Sequence, residues 1–166
     1  MRAKLREPFV FFIDECLGAL TIRAALEAAC CNGETIMTLP QGTLDTEWLT
    51  RAGGEGWVCF SKDKRMLHVP NELAAIINSG VGLFTLGSAS GAKHAQLLVN
   101  ALPIVRRAAK QLKRAFVARI DPSGALIVVI KDGQRLDRSQ RIEPNMHEWP
   151  PRPDVGGKSD KKSGKS

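Results

Sequence analysis

FVFFIDECLG (residues 9–18) runs five apolar residues, Phe9 to Ile13, straight into two acids, Asp14 and Glu15. The run is short, continuous, aromatic and β-branched, which is the signature of a strand buried on both faces. A carboxylate joined to such a strand must sit in a cleft or meet a partner, because burying an unpaired charge is costly. The reading of the chain turns on where this strand ends and what gathers there.

The downstream segments repeat the pattern. Residues 17–30 have helical Leu and Ala spacing and stop at Asn32-Gly33. Thr35 to Leu39 reads as a second strand, and Asp45 to Ala52 as a helix ended by Gly53-Gly54. Trp57 to Phe60 is a third strand, Pro70 to Ser79 a helix stopped by Gly80, and Val81 to Leu86 a fourth strand. Ser90 to Leu112 forms a long helical stretch in which Pro103 is expected to kink or divide the helix. Phe116 to Ile120 and Ala125 to Ile130 flank a turn, Asp121-Pro122-Ser123-Gly124, and predict an antiparallel hairpin at one sheet edge. Strand and helix alternate four times, and the strands are apolar throughout. The fold class is therefore α/β, with a mostly parallel sheet covered on both faces. Uniform right-handed crossovers would bring every strand's C-terminal end to one edge. Ligands bind in the crevice outside that edge.

With 166 residues and 43% hydrophobic content, the chain can build one ordinary core. We expect one domain over residues 1–149 and a basic disordered tail over 150–166. That tail carries five basic and two acidic side chains of a chain whose formal charge is +7. It reads as a solubilising end, with weak attraction to nucleic-acid phosphates as the alternative. No apolar run approaches the ~20 residues that span a bilayer. The basic start and apolar stretch at the N-terminus end in acids without a cleavage site. The expected location is cytoplasmic, with no membrane partner. Cys16, Cys30, Cys31 and Cys59 form no CxxC pair and no zinc spacing with the histidines. GSASGAK (87–93) is no phosphate-binding P-loop, because Ala92 separates Gly91 from Lys93 and His94 stands where Ser or Thr belongs.

The acids converge on the expected edge. Asp14 follows strand one, Asp63 follows strand three, Asp45 opens the helix after strand two, and Glu72 lies in the first turn of the next helix. Gathered carboxylates repel one another unless a cation neutralises them, and Mg2+ or Mn2+ suits oxygen ligands. Each acid also has a plainer reading. Asp45 could cap its helix, Glu72 could complement a helix dipole, Glu47 could face solvent, and Glu15 could simply lie early in a helix. Trp48 and Trp57 read as core. Arg106, Lys110, Lys113 and Arg114 read as a solvated helix face, or alternatively as an RNA-backbone contact.

FFIDECLG, LDTEWLTRAGGEGWVCFSKDKRM and PNELAAIINSGVGLF together resemble the PIN-domain nucleases, in the branch of VapC-type toxins and PIN-like relatives. The resemblance covers residues 8–110. It implies a three-layer α/β/α sandwich and a Mg2+- or Mn2+-dependent ribonuclease that cuts RNA phosphodiesters. It also implies a toxin restrained by a cognate antitoxin, and a homodimer. By position, Asp14, Asp45 and Asp63 correspond to the family's catalytic metal acids. Glu72 corresponds to an outer ligand, and Ser61 to the residue that orients Asp63. Glu15 and Glu47 support the site, and Lys62, Lys64 and Arg65 flank it toward the nucleic acid. The segment LDTEW leaves the second acid open between Asp45 and Glu47. The fourth acid usual in the family is missing, since VGLFTLGSAS offers Thr85 and Ser88. That departure keeps alive an inactive PIN-like binding module. A receiver-like signalling domain is a further alternative: Asp14-Glu15, Asp63 and Thr85 fit its plan, but the lysine expected after the fifth strand is absent from FVARIDPSG.

Overall fold

The computed structural model describes residues 5–144 apart from 18, 32, 63–66 and 88–90. The proposed tail and Asp63, Lys64, Arg65, Ser88 and Ser90 lie outside the described residues.

The chain runs β1 (Val10–Ile13), α1 (Ala19–Ala29), β2 (Thr35–Met37), α2 (Asp45–Glu55), β3 (Val58–Ser61) and α3 (Pro70–Ser79). It continues through β4 (Gly82–Leu86), α4 (Gly91–Gln111), β5 (Phe116–Ile120), β6 (Leu126–Lys131) and β7 (Gln134–Ile142). The seven strands form one sheet in the order β2-β1-β3-β4-β5-β6-β7. Strands β1 to β5 pair in parallel, and β6 and β7 extend the sheet antiparallel. The fold is the expected α/β sandwich with a mostly parallel sheet and an antiparallel C-terminal hairpin. The hairpin does not end the sheet, however. β7 follows it and forms the edge, while β5 is interior and parallel to β4.

Strand alternation sends side chains to two cores. Phe11, Phe60, Phe84 and Phe116 face α1 and α4, together with Ile22, Leu26, Leu98, Leu102 and Val105. Phe12, Cys59, Leu83 and Val117 face α2 and α3, with Trp48, Leu49 and Ile76. Each fully buried aliphatic or aromatic side chain contributes about 2 kcal/mol of transfer free energy, so both helix layers are held mainly by burial.

Two sequence expectations need correction. First, α2 does not stop at Gly53-Gly54. It continues to Glu55 and ends at Gly56, which takes the left-handed conformation (φ +74°) and donates its N–H to Ala52 O. Gly53 is needed for packing, because a Cβ there would lie 1.9 Å from Ser79 O of α3. Second, α4 is one helix through Pro103 and lies on the α1 face. The β3–α3–β4 and β4–α4–β5 connections step in the same direction across the sheet but over opposite faces. The fourth crossover therefore has the opposite hand to the other three, against the usual rule. The apolar stripe of α4 shares its core with α1. Arg106 locks that choice: it grips Glu34 through two 2.9 Å hydrogen bonds and donates a third to Ala29 O at the end of α1. Arg106 is thus a structural clamp, not part of a solvated face. Burial alone would push the Glu34 carboxyl up, but the Arg106 and Cys31 N–H hydrogen bonds hold it below the usual range.

A cleft at the end of strand β1

β1 is flanked by β2 on one side and β3 on the other. The chain leaves β1 over one face through α1 and returns over the other through α2, which opens a crevice at the strand's C-terminal end. Phe12, Ile13, Asp14, Glu15, Thr38, Leu39, Pro40, Thr43 and Trp48 line it. Its floor is aromatic: the Phe12 ring lies 5.0 Å from Trp48 and 5.6 Å from Trp57, centroid to centroid.

Asp14 is 7% exposed at this point. Its N–H donates to Phe60 O, which continues the β1–β3 ladder one step and aims the side chain toward the α2/α3 face. Ser61, fully buried on β3, donates its hydroxyl to Asp14 Oδ2 at 2.8 Å. The Cys16 thiol donates to the same oxygen at 3.2 Å. Oδ1 has no side-chain donor among the described residues. Burial pushes the Asp14 carboxyl above the ordinary aspartate range, the Ser61 and Cys16 hydrogen bonds oppose that, and the Asp45 charge adds to the rise.

Asp45 is the first residue of α2 but not its cap, since Leu44 holds that position. Trp48 donates its indole N–H to Asp45 Oδ1 at 2.9 Å. The D-x-x-W spacing brings both onto one helix face, and a buried indole needs an acceptor. Trp48 is core, as expected, and it also fixes the rotamer of Asp45. Glu15 accepts the Gly42 N–H at 3.1–3.2 Å and so ties the loop after β2 to the mouth of the cleft. Glu47 is exposed in the first turn of α2. Glu72 is half-buried in the first turn of α3 and is not among the described residues lining the cleft. Lys62 is exposed, and its N–H donates to Cys16 Sγ. Of the candidate residues, Asp14 and Glu15 line the cleft, Ser61 joins it through its hydrogen bond to Asp14, and Asp45 is near enough for its charge to act on Asp14, while Asp45, Ser61, Glu47 and Glu72 are not among the described lining residues.

Residues 9–88 match the family model for a PIN like domain. The matched segment begins one residue before β1 and closes just beyond β4, so it contains Asp14, Asp45, Ser61 and Glu72, while α4 and β5–β7 lie outside it. No curated protein and no solved structure gives a significant match. Among the described residues no helix is long and apolar enough to cross a membrane.

Cys16 is the site residue that sequence reasoning passed over. A single cysteine without a metal-ligand spacing carries no signal, and only the fold places its thiol against Asp14 and Ser61. Burial pushes this thiol up, away from the reactive thiolate. Among the described residues no three His, Cys, Asp or Glu side chains form a metal-sized group. Two of the carboxylates are nevertheless oxygen donors of the kind a hard cation takes. Asp14 offers a carboxylate at the cleft whose Oδ1 has no side-chain donor among the described residues, and Asp45 offers Oδ2, which has no described partner.

Proposed function

We propose that the protein is a Mg2+- or Mn2+-dependent endoribonuclease that hydrolyses RNA phosphodiester bonds, with Asp14 at its centre. The observation that carries this reading is the buried Asp14 carboxylate, raised in pKa by burial and by Asp45, at the C-terminal end of β1 in a PIN-like domain. Asp14 and Asp45 would hold the ion, with Asp63 as third ligand and Glu72 as an outer one. When bound, the ion would generate a nucleophilic water and neutralise charge on the phosphodiester. The chain's own residues do the positioning. Ser61 and Cys16 fix Asp14 through Oδ2, Trp48 fixes Asp45, and Glu15 holds the loop that closes the cleft. Lys62, Lys64 and Arg65 would take substrate phosphates. The resemblance to VapC-type toxins supports a toxin role with a cognate antitoxin, and a homodimer.

The test is cleavage of a mixed RNA pool with Mn2+, with Mg2+ and with EDTA, beside Asp14→Asn. Metal-dependent cuts that vanish in the variant support the reading, and cuts that persist at the wild-type rate sink it. One observation favours a second reading, a PIN-like binding module without activity: Thr85, buried on β4, stands where the resemblance expects an acid. That module would give neither cuts nor Mn2+ binding. A receiver would accept a phosphoryl group from a small phosphodonor; β5 ends in Arg119-Ile120 and runs into Asp121-Pro122, without the lysine such a domain needs.

A further inference from the structure

The net positive charge is not spread over the chain. Residues 9–88 hold five basic and nine acidic side chains, whereas residues 89–144 hold eleven basic and four acidic. The part that matches the PIN-like family is acidic, and the part beyond it supplies the positive charge.

The sheet places some of that charge beside the cleft. Ser61 pairs with Thr85, Thr85 with Arg119, Arg119 with Ile127, and Ile127 with Arg141. Paired residues point to the same face, and for this row it is the face of α2 and α3, the one Asp14 takes. Arg135 pairs with Ile130 of the same core and donates to Leu67 O, so it shares that face. Strands lie ~4.8 Å apart, which puts Arg119 roughly 14 Å from the Asp14 column. The opposite hand of the fourth crossover puts α4 on the other side of β5, so that on this face Val117 and Ile130 are buried in the α2/α3 core while Arg119 stays exposed. Arg119 is exposed, with no hydrogen bond or ion pair among the described residues. Arg141 contributes less, because Asp121 and Glu143 lie against it.

We infer that the β5–β7 extension is a second nucleic-acid contact, in which Arg119 and Arg135, with Arg141 at the edge, hold the phosphates of an RNA strand leading to the Asp14 cleft. The strip rests on the proposal that RNA is the ligand, but not on cleavage. A row of exposed cations on strands whose apolar neighbours Val117, Ile127 and Ile130 are buried suits a polyanion backbone and carries no base-reading pattern.

The experiment is fluorescence anisotropy of a labelled single-stranded oligouridylate with the full chain in EDTA, across a salt series. Arg119→Gln is expected to weaken binding roughly fivefold near 0.1 M salt, and Arg119→Gln with Arg135→Gln roughly 25-fold. The slope of log K against log salt should fall by about 0.7 for each arginine removed. Lys110→Gln, on the α4 side, should bind as wild type, and thermal melts verify that each variant folds. Four results would overturn the inference: no RNA binding by wild type, wild-type binding by the double variant, loss of all salt-dependent binding on changing Lys158, Lys161, Lys162 and Lys165 to Gln, or competition by polyglutamate as effective as RNA per charge. Because binding is read in EDTA, absence of cleavage leaves the strip standing, and loss of the strip leaves cleavage standing.

Discussion

The two halves of the sheet use polar residues in opposite ways. At the β1–β3 end, charge is drawn inward. Asp14 is buried, and its carboxylate accepts from the Ser61 hydroxyl and the Cys16 thiol beside the Phe12–Trp48 ring pair. At the β5–β7 end, charge is pushed outward, with Arg119, Arg135, Arg138 and Arg141 exposed on strands whose apolar residues face only part of the core. Buried carboxylates with raised pKa mark a place where a cation gains most. Exposed guanidinium groups gain little from one fixed partner and serve a mobile polyanion. On the proposed reading, chemistry would belong to the first end and holding to the second.

The largest test of that division is Asp14→Asn. It should lower metal-dependent cleavage by about two to three orders of magnitude, the scale on which removing one charge-stabilising group acts. RNA binding in EDTA should be unchanged, read by anisotropy. Next comes the seam that shapes the acidic end. Gly53→Ala drives a Cβ into Ser79 O and should cost about 3 kcal/mol, seen as a lowered denaturation midpoint. Arg106→Ala tests the clamp that joins the two ends. It strands a carboxylate whose side chain is 7% exposed and should cost about 2 kcal/mol in urea unfolding. The sign follows from the lowered Glu34 pKa: the clamp's contribution is present above the unfolded carboxyl value and is lost as pH falls through the folded one. The variant should therefore lose less stability than wild type on acidification.

The smallest effect is on stability at the cleft itself. The raised Asp14 pKa means that the protonated form favours folding. That contribution is complete below the unfolded aspartate value and is lost as pH rises through the folded one. In metal-free protein Asp14→Asn should raise Tm at neutral pH, with the gain disappearing in acid. A variant less stable than wild type at neutral pH would show that the Ser61 and Cys16 hydrogen bonds outweigh burial.

The parallel half of the fold was legible because each strand is an unbroken apolar run and Pro70 and Gly80 mark the two ends of α3. β7 was not, since QRLDRSQRI is polar along most of its length and pairs on one side only. Gly53-Gly54 reads as a stop in isolation, and only the nearness of α3 explains a glycine within the helix. The hand of the fourth crossover was illegible for a similar reason: it depends on α4 meeting α1 across the chain, fixed by Arg106 and Glu34, 72 residues apart. Asp14 and Asp45 stood out as acids at strand and helix ends. The donors that aim them, Cys16 and Trp48, looked like an isolated thiol and a core ring until the fold placed them.

The most direct measurement of the central claim is a Mn2+ titration followed by electron paramagnetic resonance, on wild type and Asp14→Asn, in protein stripped of metal. The account predicts a saturable site in wild type that is lost in the variant while the fold, read by circular dichroism, is retained. Equal Mn2+ binding by both proteins, or none by either, would contradict an ion held by Asp14.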